Sequence, residues 1–318
     1  MKKEIKIIIN KSEITAGTRG ASLGPEAIMT AARKKGKYFF GDHPIEVVED
    51  VNYMLDQEIK YPNAKRIEGL VKVFESVSSL VEDTLNEGFF PLVIAGDHGS
   101  AGGTIAGIKM QNPSKRLGVI WIDAHGDLHT PYTTPSGNMH GMPLATALAE
   151  DNKQVQRNEP SDFTKENWER LKFLGIEGAK IQPQDLVFIA VRDTEPEEEA
   201  LMDRLNITNH TVASVRNEGV EYILNKCLEQ LKDCDQIYVS FDVDSMDPEF
   251  TSHGTGTPVD NGLLPKEAEF FLCELAKLEK TVCIEFVEVN PCLDEKINKM
   301  AEVTFDLMEK TVEALQKT

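Results

Sequence analysis

Short apolar runs rich in Ile and Val recur along this 318-residue chain, separated by longer stretches whose apolar residues fall at helical spacing. That alternation restricts the fold more than any other feature, because strand, helix and strand in succession close most readily as a parallel β-α-β unit. Eight strands are expected, at about 4–9 (EIKIII), 45–48 (IEVV), 91–95 (PLVIA), 117–122 (LGVIWI), 186–190 (LVFIA), 209–212 (NHTV), 236–241 (QIYVSF) and 282–288 (VCIEFVE). Between them, Gly24-Pro25 opens a helix that Gly36 stops, and residues 64–87 carry Ile67, Leu70, Val71, Phe74, Val77, Val81 and Leu85 on one helical face. A last amphipathic helix is expected at about 295–316, through Ile297, Met300, Val303, Leu307 and Val312. Residues 151–184 are polar, hold one short helix, and break the alternation, so they read as a surface excursion from a single domain spanning 1–318.

Charge narrows the partners. Thirty-four Lys and Arg against 53 Asp and Glu give a net charge of −19, which repels nucleic acid and anionic membranes and suits a small cationic or neutral substrate. No apolar run reaches the roughly 18 to 20 residues of a membrane span, and MKKEIKIIIN is charged too early for a signal peptide, so a cytoplasmic protein is expected. The five cysteines (227, 234, 273, 283 and 292) form no C-x-x-C pair and are read as reduced thiols.

Ligands of parallel sheets bind beyond the carboxyl ends of the strands, and four expected strands end in polar clusters. These are AGDHGS with His98, IDAHGD with Asp123, His125 and Asp127, SFDVDSMD with Asp242 and Asp244, and FVEVNP with Glu288. Extended chain alternates its side chains, so Asp123, His125 and Asp127 can converge, as can Asp242 and Asp244. Taken singly, each is equally well a solvated turn or helix cap. Four aspartates gathered without cations would repel one another and take up protons, so the set asks for about two divalent ions. Carboxylates mixed with imidazole suit Mn²⁺ best, ahead of Zn²⁺, Co²⁺ or Fe²⁺, and an all-oxygen Mg²⁺ or Ca²⁺ site would not need the histidines. Two ions sharing a water make a hydrolytic nucleophile, and Glu288 beside them faces a guanidinium or amidine better than a phosphate.

The succession GDHGSAGGT, WIDAHGDLHTP, SGNMHGMPLA, SFDVDSMDP, GTGTPVDNGL and EVNP resembles the ureohydrolase superfamily of arginases, agmatinases and formimidoylglutamases, over nearly the whole chain. The form S-G-N-x-H-G-M-P after D-A-H-x-D resembles the arginase branch. The resemblance implies a three-layer α/β/α domain with an eight-stranded mostly parallel sheet, two Mn²⁺ ions per subunit, a homotrimer or homohexamer, and hydrolysis of L-arginine to L-ornithine and urea. It also implies that one ion takes His98, Asp123, Asp127 and Asp242 and the other His125, Asp123, Asp242 and Asp244. Asp127 would further orient the attacking hydroxide, Glu288 would hold the guanidinium, His140 would shuttle protons, and Thr257 would line the pocket. The substrate's α-carboxylate would meet Thr134, Ser136 and position 129, and its α-amino group position 195.

Three departures from that family pattern stand out. Gly99 replaces a serine after the ligand His98, with little expected consequence. The loop from Asp247, read as a turn residue, to Thr257 is one residue longer and brings a solvated His253 near the pocket rim. His129 stands where an asparagine is usual, and Glu195 where an aspartate is. Arginine remains the expected substrate, since histidine still donates and glutamate keeps the charge. Loss of the carboxylate contact would instead relax selection toward agmatine or another guanidino compound, and guanidinobutyrate and formimidoylglutamate are the further alternative substrates. A non-catalytic metal-binding relative would show a missing ligand or a missing Glu288, and none is missing.

Overall fold

The computed structural model describes residues 3–317. Its strands are β1 (Ile5–Asn10), β2 (Ile45–Val48), β3 (Phe90–Ala95), β4 (Leu117–Ile122), β5 (Leu186–Ile189), β6 (Thr208–His210), β7 (Gln236–Asp242) and β8 (Thr281–Val287). Its helices are α1 (Gly24–Lys34), α2 (Ile67–Asn86), α3 (Ala101–Gln111), α4 (Pro143–Leu148), α5 (Asp162–Lys172), α6 (Pro196–Leu205), α7 (Val212–Glu218), α8 (Val220–Gln230), α9 (Pro265–Ala276) and α10 (Lys299–Leu315). The strands form one sheet in the order β2-β1-β3-β8-β7-β4-β5-β6, every neighbouring pair parallel.

Both faces of the sheet are covered, which is why its strands read as nearly unbroken apolar runs. On β1, Ile5, Ile7 and Ile9 join a core with α1, α7, α8, α9 and α10, while Ile8 joins a second core with α2 to α6. Each fully buried isoleucine is worth about 1.5–3 kcal/mol of transfer free energy. The result is the expected three-layer α/β/α arrangement.

Each of the eight expected strands is present, the second and fourth with the expected ends and the other six with ends shifted by one or two residues. The sixth stops at His210 because Thr211 leaves the sheet to cap α7, its hydroxyl accepting from Ser214 N at 3.2 Å. The last helix begins at Lys299, four residues late, since Ile297 and Asn298 both have positive φ and Ile297 is exposed. The 151–184 segment holds its one helix, α5, started by Ser161 accepting from Thr164 N at 3.2 Å. It is less of a surface feature than its polarity suggests, because Trp168 and Leu171 are buried in the α2 to α6 core. Its Asn158 also braces the loop after β4, donating from Nδ2 to Thr134 O at 2.6 Å, while Arg157 N and Asn158 N both reach Tyr132 O at 2.9 Å.

Candidate active site

The strand order makes β3, β8, β7 and β4 adjacent at the centre of the sheet, so the four polar segments that follow them meet over one crevice. From β3, the chain turns tightly at His98–Ser100 into α3. His98 Nδ1 lies 3.0 Å from Asp123 Oδ2, 3.1 Å from Asp127 Oδ2 and 3.1 Å from Asp242 Oδ2. Its Nε2 is 2.7 Å from Ser240 Oγ, and its ring lies flat on Trp121 with centroids 4.1 Å apart.

After β4, Asp123 Oδ1 accepts from His125 N at 2.7 Å, and Asp127 sits at φ +50°. After β7, Asp242 Oδ1 accepts from Asp244 N at 2.8 Å, and Asp244 Oδ1 from Ala124 N at 3.2 Å. His125 Nδ1 approaches Asp244 Oδ2 at 3.1 Å, and the Thr257 hydroxyl donates to that oxygen at 3.2 Å. After β8, Glu288 has φ +68°, and its Oε1 accepts from His98 N at 2.8 Å. Positive φ costs a non-glycine residue on the order of 1–3 kcal/mol, and here that strain aims two carboxylates into the crevice.

These residues fit a pair of metal ions. Two groups have ligand atoms mutually within 4.8 Å, His98 with Asp123 and Asp127, and Asp123 with His125 and Asp244, so Asp123 is common to both. His98 Nδ1 and Asp123 Oδ2 are buried without a hydrogen-bond partner although carboxylates and imidazole crowd them. A nitrogen facing three carboxylate oxygens in poor hydrogen-bonding geometry is placed for a cation between them.

The electrostatics agree. Burial and the neighbouring Asp123 raise Asp127 to about 6, and burial with Asp244 and Asp123 carries Asp242 well above the carboxylate range. Burial also raises Asp244. Asp123 goes the other way: against its burial, His125 and His98 hold it well below the usual value. Burial opposes protonation of His98 and His125, but the surrounding aspartates outweigh it and raise both imidazoles. Carboxylates that repel one another and imidazoles drawn toward positive charge both favour a cation between them.

A cavity of about 180 Å³ opens beside the cluster. Every residue expected to touch substrate lines it, namely Asp127, His129, Thr134, Ser136, His140, Glu195, Thr257 and Glu288, and its lining includes no Lys or Arg. His140 Nδ1 is 3.5 Å from Glu288 Oε1; burial lowers its basicity, but Glu288 more than compensates and raises it. Burial depresses His129 to about 4, so its ring is neutral, with Nδ1 3.3 Å from Thr133 Oγ1 and Nε2 3.6 Å from both Glu195 Oε2 and Glu198 Oε2. Glu195 also caps α6 in a reciprocal box with Glu198. Its carboxylate is therefore shared between the helix and the pocket.

The sequence reading passed over several residues. Asn138, Asp193 and Glu198 line the same cavity, the last two within the RDTEPEE segment that had yielded only Glu195. Arg192, in the same segment, donates to the carbonyls of Ala190, Asp244, Ser245, Val259 and Asp260, tying the β7 ligand turn to the loop that carries Thr257. Asp247 is a turn residue as expected, accepting from Glu249 N at 3.0 Å. His253 is outside the cavity and faces Glu295 Oε1 at 3.2 Å, so this part of the longer loop is turned from the site that Thr257, at its end, lines.

Gly99 matters more than expected. A Cβ there would lie 2.4 Å from Thr15 Oγ1 and 2.8 Å from Thr15 Cβ, and Thr15 N is held by Asp97 Oδ2 at 2.8 Å. Gly99→Ser is expected to cost about 1–3 kcal/mol by overpacking, read as a lowered midpoint in thermal unfolding. An unchanged midpoint would show that Thr15 yields freely.

An all-parallel three-layer sheet with a carboxylate and imidazole cluster over its four central strands defines an α/β protein with a candidate dinuclear metal centre. The Arginase family matches residues 4–313, and the chain belongs to that family. It is 33% identical to the arginase of Bacillus caldovelox over 96% of this chain and 97% of that one. Among solved structures it resembles Bacillus cereus arginase, with a TM-score of 0.81 and 30% identity over 98% of each chain. Entamoeba histolytica arginase, solved in complex with L-ornithine, gives a TM-score of 0.81 at 26% identity over 99% of each chain.

Proposed function

We propose that the protein hydrolyses L-arginine to L-ornithine and urea with two Mn²⁺ ions per subunit. The observation that carries this reading is one cavity in which two ligand groups sharing Asp123 open beside Glu288, with no Lys or Arg among the lining residues. His98, Asp123, Asp127 and Asp242 would hold one ion, and His125, Asp123, Asp242 and Asp244 the other. When bound, the pair supplies water whose pKa is lowered toward neutrality. Asp127 orients the attacking oxygen, and Glu288 holds the guanidinium in a fork of charge-assisted hydrogen bonds. His140, whose basicity burial lowers and Glu288 raises on balance, delivers a proton to the leaving amine. Thr134, Ser136 and neutral His129 receive the α-carboxylate, and Glu195 the ammonium. The similarity to the arginases of Bacillus caldovelox and Bacillus cereus supports arginine as substrate. The test is urea release from L-arginine by the Mn²⁺-loaded protein, and none above the metal-free protein would overturn the proposal.

A second reading, a related guanidino compound as substrate, draws on the same two altered positions. His129 is neutral and turned toward Glu195 and Glu198, which leaves the α-carboxylate to uncharged donors. A panel of arginine, agmatine, guanidinobutyrate and formimidoylglutamate separates the two readings, and the highest kcat/KM for arginine removes the second.

No helix among the described residues is long and apolar enough to cross a membrane. We also propose a cytoplasmic enzyme, and family membership leads us to propose a homotrimer or homohexamer, which sedimentation equilibrium would test.

Ion binding and pH should be linked with a defined sign. Groups raised on folding (His98, His125, Asp127 and Asp242) stabilise the metal-free fold at low pH and lose that contribution as pH rises through their folded values, near 6 for Asp127. Asp123 alone has the opposite sign, and loses its contribution only in strong acid. Ions must displace those protons, so their affinity falls as pH falls. From about pH 6 upward, thermal midpoints of the metal-free and Mn²⁺-saturated protein are expected to diverge. Parallel profiles would count against the ligand set.

A further inference from the structure

Building on the proposed placement of the substrate's α-carboxylate at Thr134 and Ser136, we infer that Lys65 sets the pocket's preference for a substrate that bears this carboxylate. It does so by holding Asn138 as a hydrogen-bond donor and by supplying positive charge behind it. Lys65 lies two residues before α2 and outside the cavity, and its Nζ donates to Asn138 Oδ1 at 3.0 Å. Its backbone N–H donates to Gly137 O at 2.9 Å. Gly137, at φ +76°, sits so close to Pro62 that a Cβ would stand 1.7 Å from the Pro62 carbonyl oxygen. The turn that carries Ser136 and Asn138 is thus seated directly on residues 62–65.

An ammonium can only donate, so the Asn138 amide has one orientation, with Oδ1 toward Lys65 and the Nδ2 protons turned away. Gly17 leaves room for them, since a Cβ there would lie 2.5 Å from Asn138 Nδ2. The two neighbouring hydroxyls are loaded in the same sense. Thr134 Oγ1 accepts from Gly137 N at 2.9 Å, and Ser136 Oγ from Asn138 N at 3.1 Å. All three side chains line the cavity, and what each has left to offer there is a proton. A carboxylate, which only accepts, matches them.

The cavity is otherwise unfavourable to an anion. Asp193, Glu195 and Glu198 line it in addition to the proposed ion ligands and Glu288. Arg157 is near enough to act on His129 and Glu195, but it is paired with Glu197 at 3.2 Å. Lys65 is half-buried and pairs with no carboxylate among the described residues. Its charge, one hydrogen bond behind the Asn138 donor, offsets the acidic lining at the carboxylate end and is remote from the hydrolytic centre.

The test compares L-arginine with agmatine, which carries the same guanidino chain without the α-carboxylate, taken as a substrate or, where it turns over too slowly, as a competitive inhibitor. Lys65→Met is expected to raise KM for L-arginine about five- to twentyfold with kcat within about twofold, and to leave the agmatine constant within about twofold. Lys65→Arg, which keeps charge and donor, should stay near wild type, and Lys65→Gln, which keeps a donor without the charge, should fall between the two. Added salt should raise KM for L-arginine more in the wild type than in Lys65→Met. Mn²⁺ content should match the wild type in every variant. If Lys65→Met does not fold, Lys65→Gln carries the test against Lys65→Arg. Equal losses for both compounds, a loss confined to kcat, or an unmoved KM would overturn this inference alone. A wild type that releases no urea from L-arginine overturns the proposed function as well.

Discussion

Replacing Asp242 by alanine is expected to lower kcat/KM for L-arginine by at least about a thousandfold, ~4 kcal/mol of transition-state stabilisation, by removing ion binding. Asp242 is chosen because it joins the two halves of the cluster. Its Oδ2 is 3.1 Å from His98 Nδ1, and its Oδ1 holds the Asp244 backbone at 2.8 Å. Ion content measured by mass spectrometry should fall from two per subunit to one or fewer. Stability of the metal-free protein should move the other way. Burial and like charge on Asp244 and Asp123 push Asp242 up, so deleting it relieves repulsion. A variant that kept two ions and full activity would remove Asp242 from the ligand set.

Glu288→Gln is expected to reduce kcat/KM by roughly 30- to 1,000-fold, the 2–4 kcal/mol typical of truncating one partner of a buried charge pair. The amide has the same shape, and its carbonyl oxygen still accepts from His98 N, which now bonds Glu288 Oε1 at 2.8 Å. Only the charge facing the guanidinium is lost. Ion content should therefore stay at two, which separates this variant from Asp242→Ala. Part of the loss should appear in kcat, because Glu288 also supports protonation of His140 from 3.5 Å. A kcat/KM within about threefold of wild type would mean that the substrate cation is held elsewhere.

The strands were readable because their signal is local: runs such as LGVIWI and QIYVSF announce burial on both faces without reference to anything distant. The order of the strands was not local. That β7 and β8 insert between β3 and β4, and so bring His98, Asp123, Asp242 and Glu288 to one crevice, is a property of long-range pairing. Polar residues at strand ends stood out against apolar runs, so the whole proposed ligand set was marked in advance. Ser240, which meets His98 Nε2, was hidden by the same logic, being a single polar residue inside a strand. Backbone strain was equally invisible: Glu288 is not a residue that positive φ favours, and Asp127, though of a type that tolerates it, is one of many aspartates in the chain. Gly99 was misjudged because its constraint comes from Thr15, 84 positions away in sequence and in direct contact in space.

The brace from Asn158 to the loop bearing Thr134 has a consequence for how this enzyme could change. The proposed ion ligands stand at strand ends in the centre of the sheet, whereas the proposed carboxylate contacts stand on a loop propped from the segment that carries α5. Chemistry and selectivity therefore have separate foundations. Substitutions around residues 157–172 can retune which guanidino compound fits while the hydrolytic centre keeps its shape.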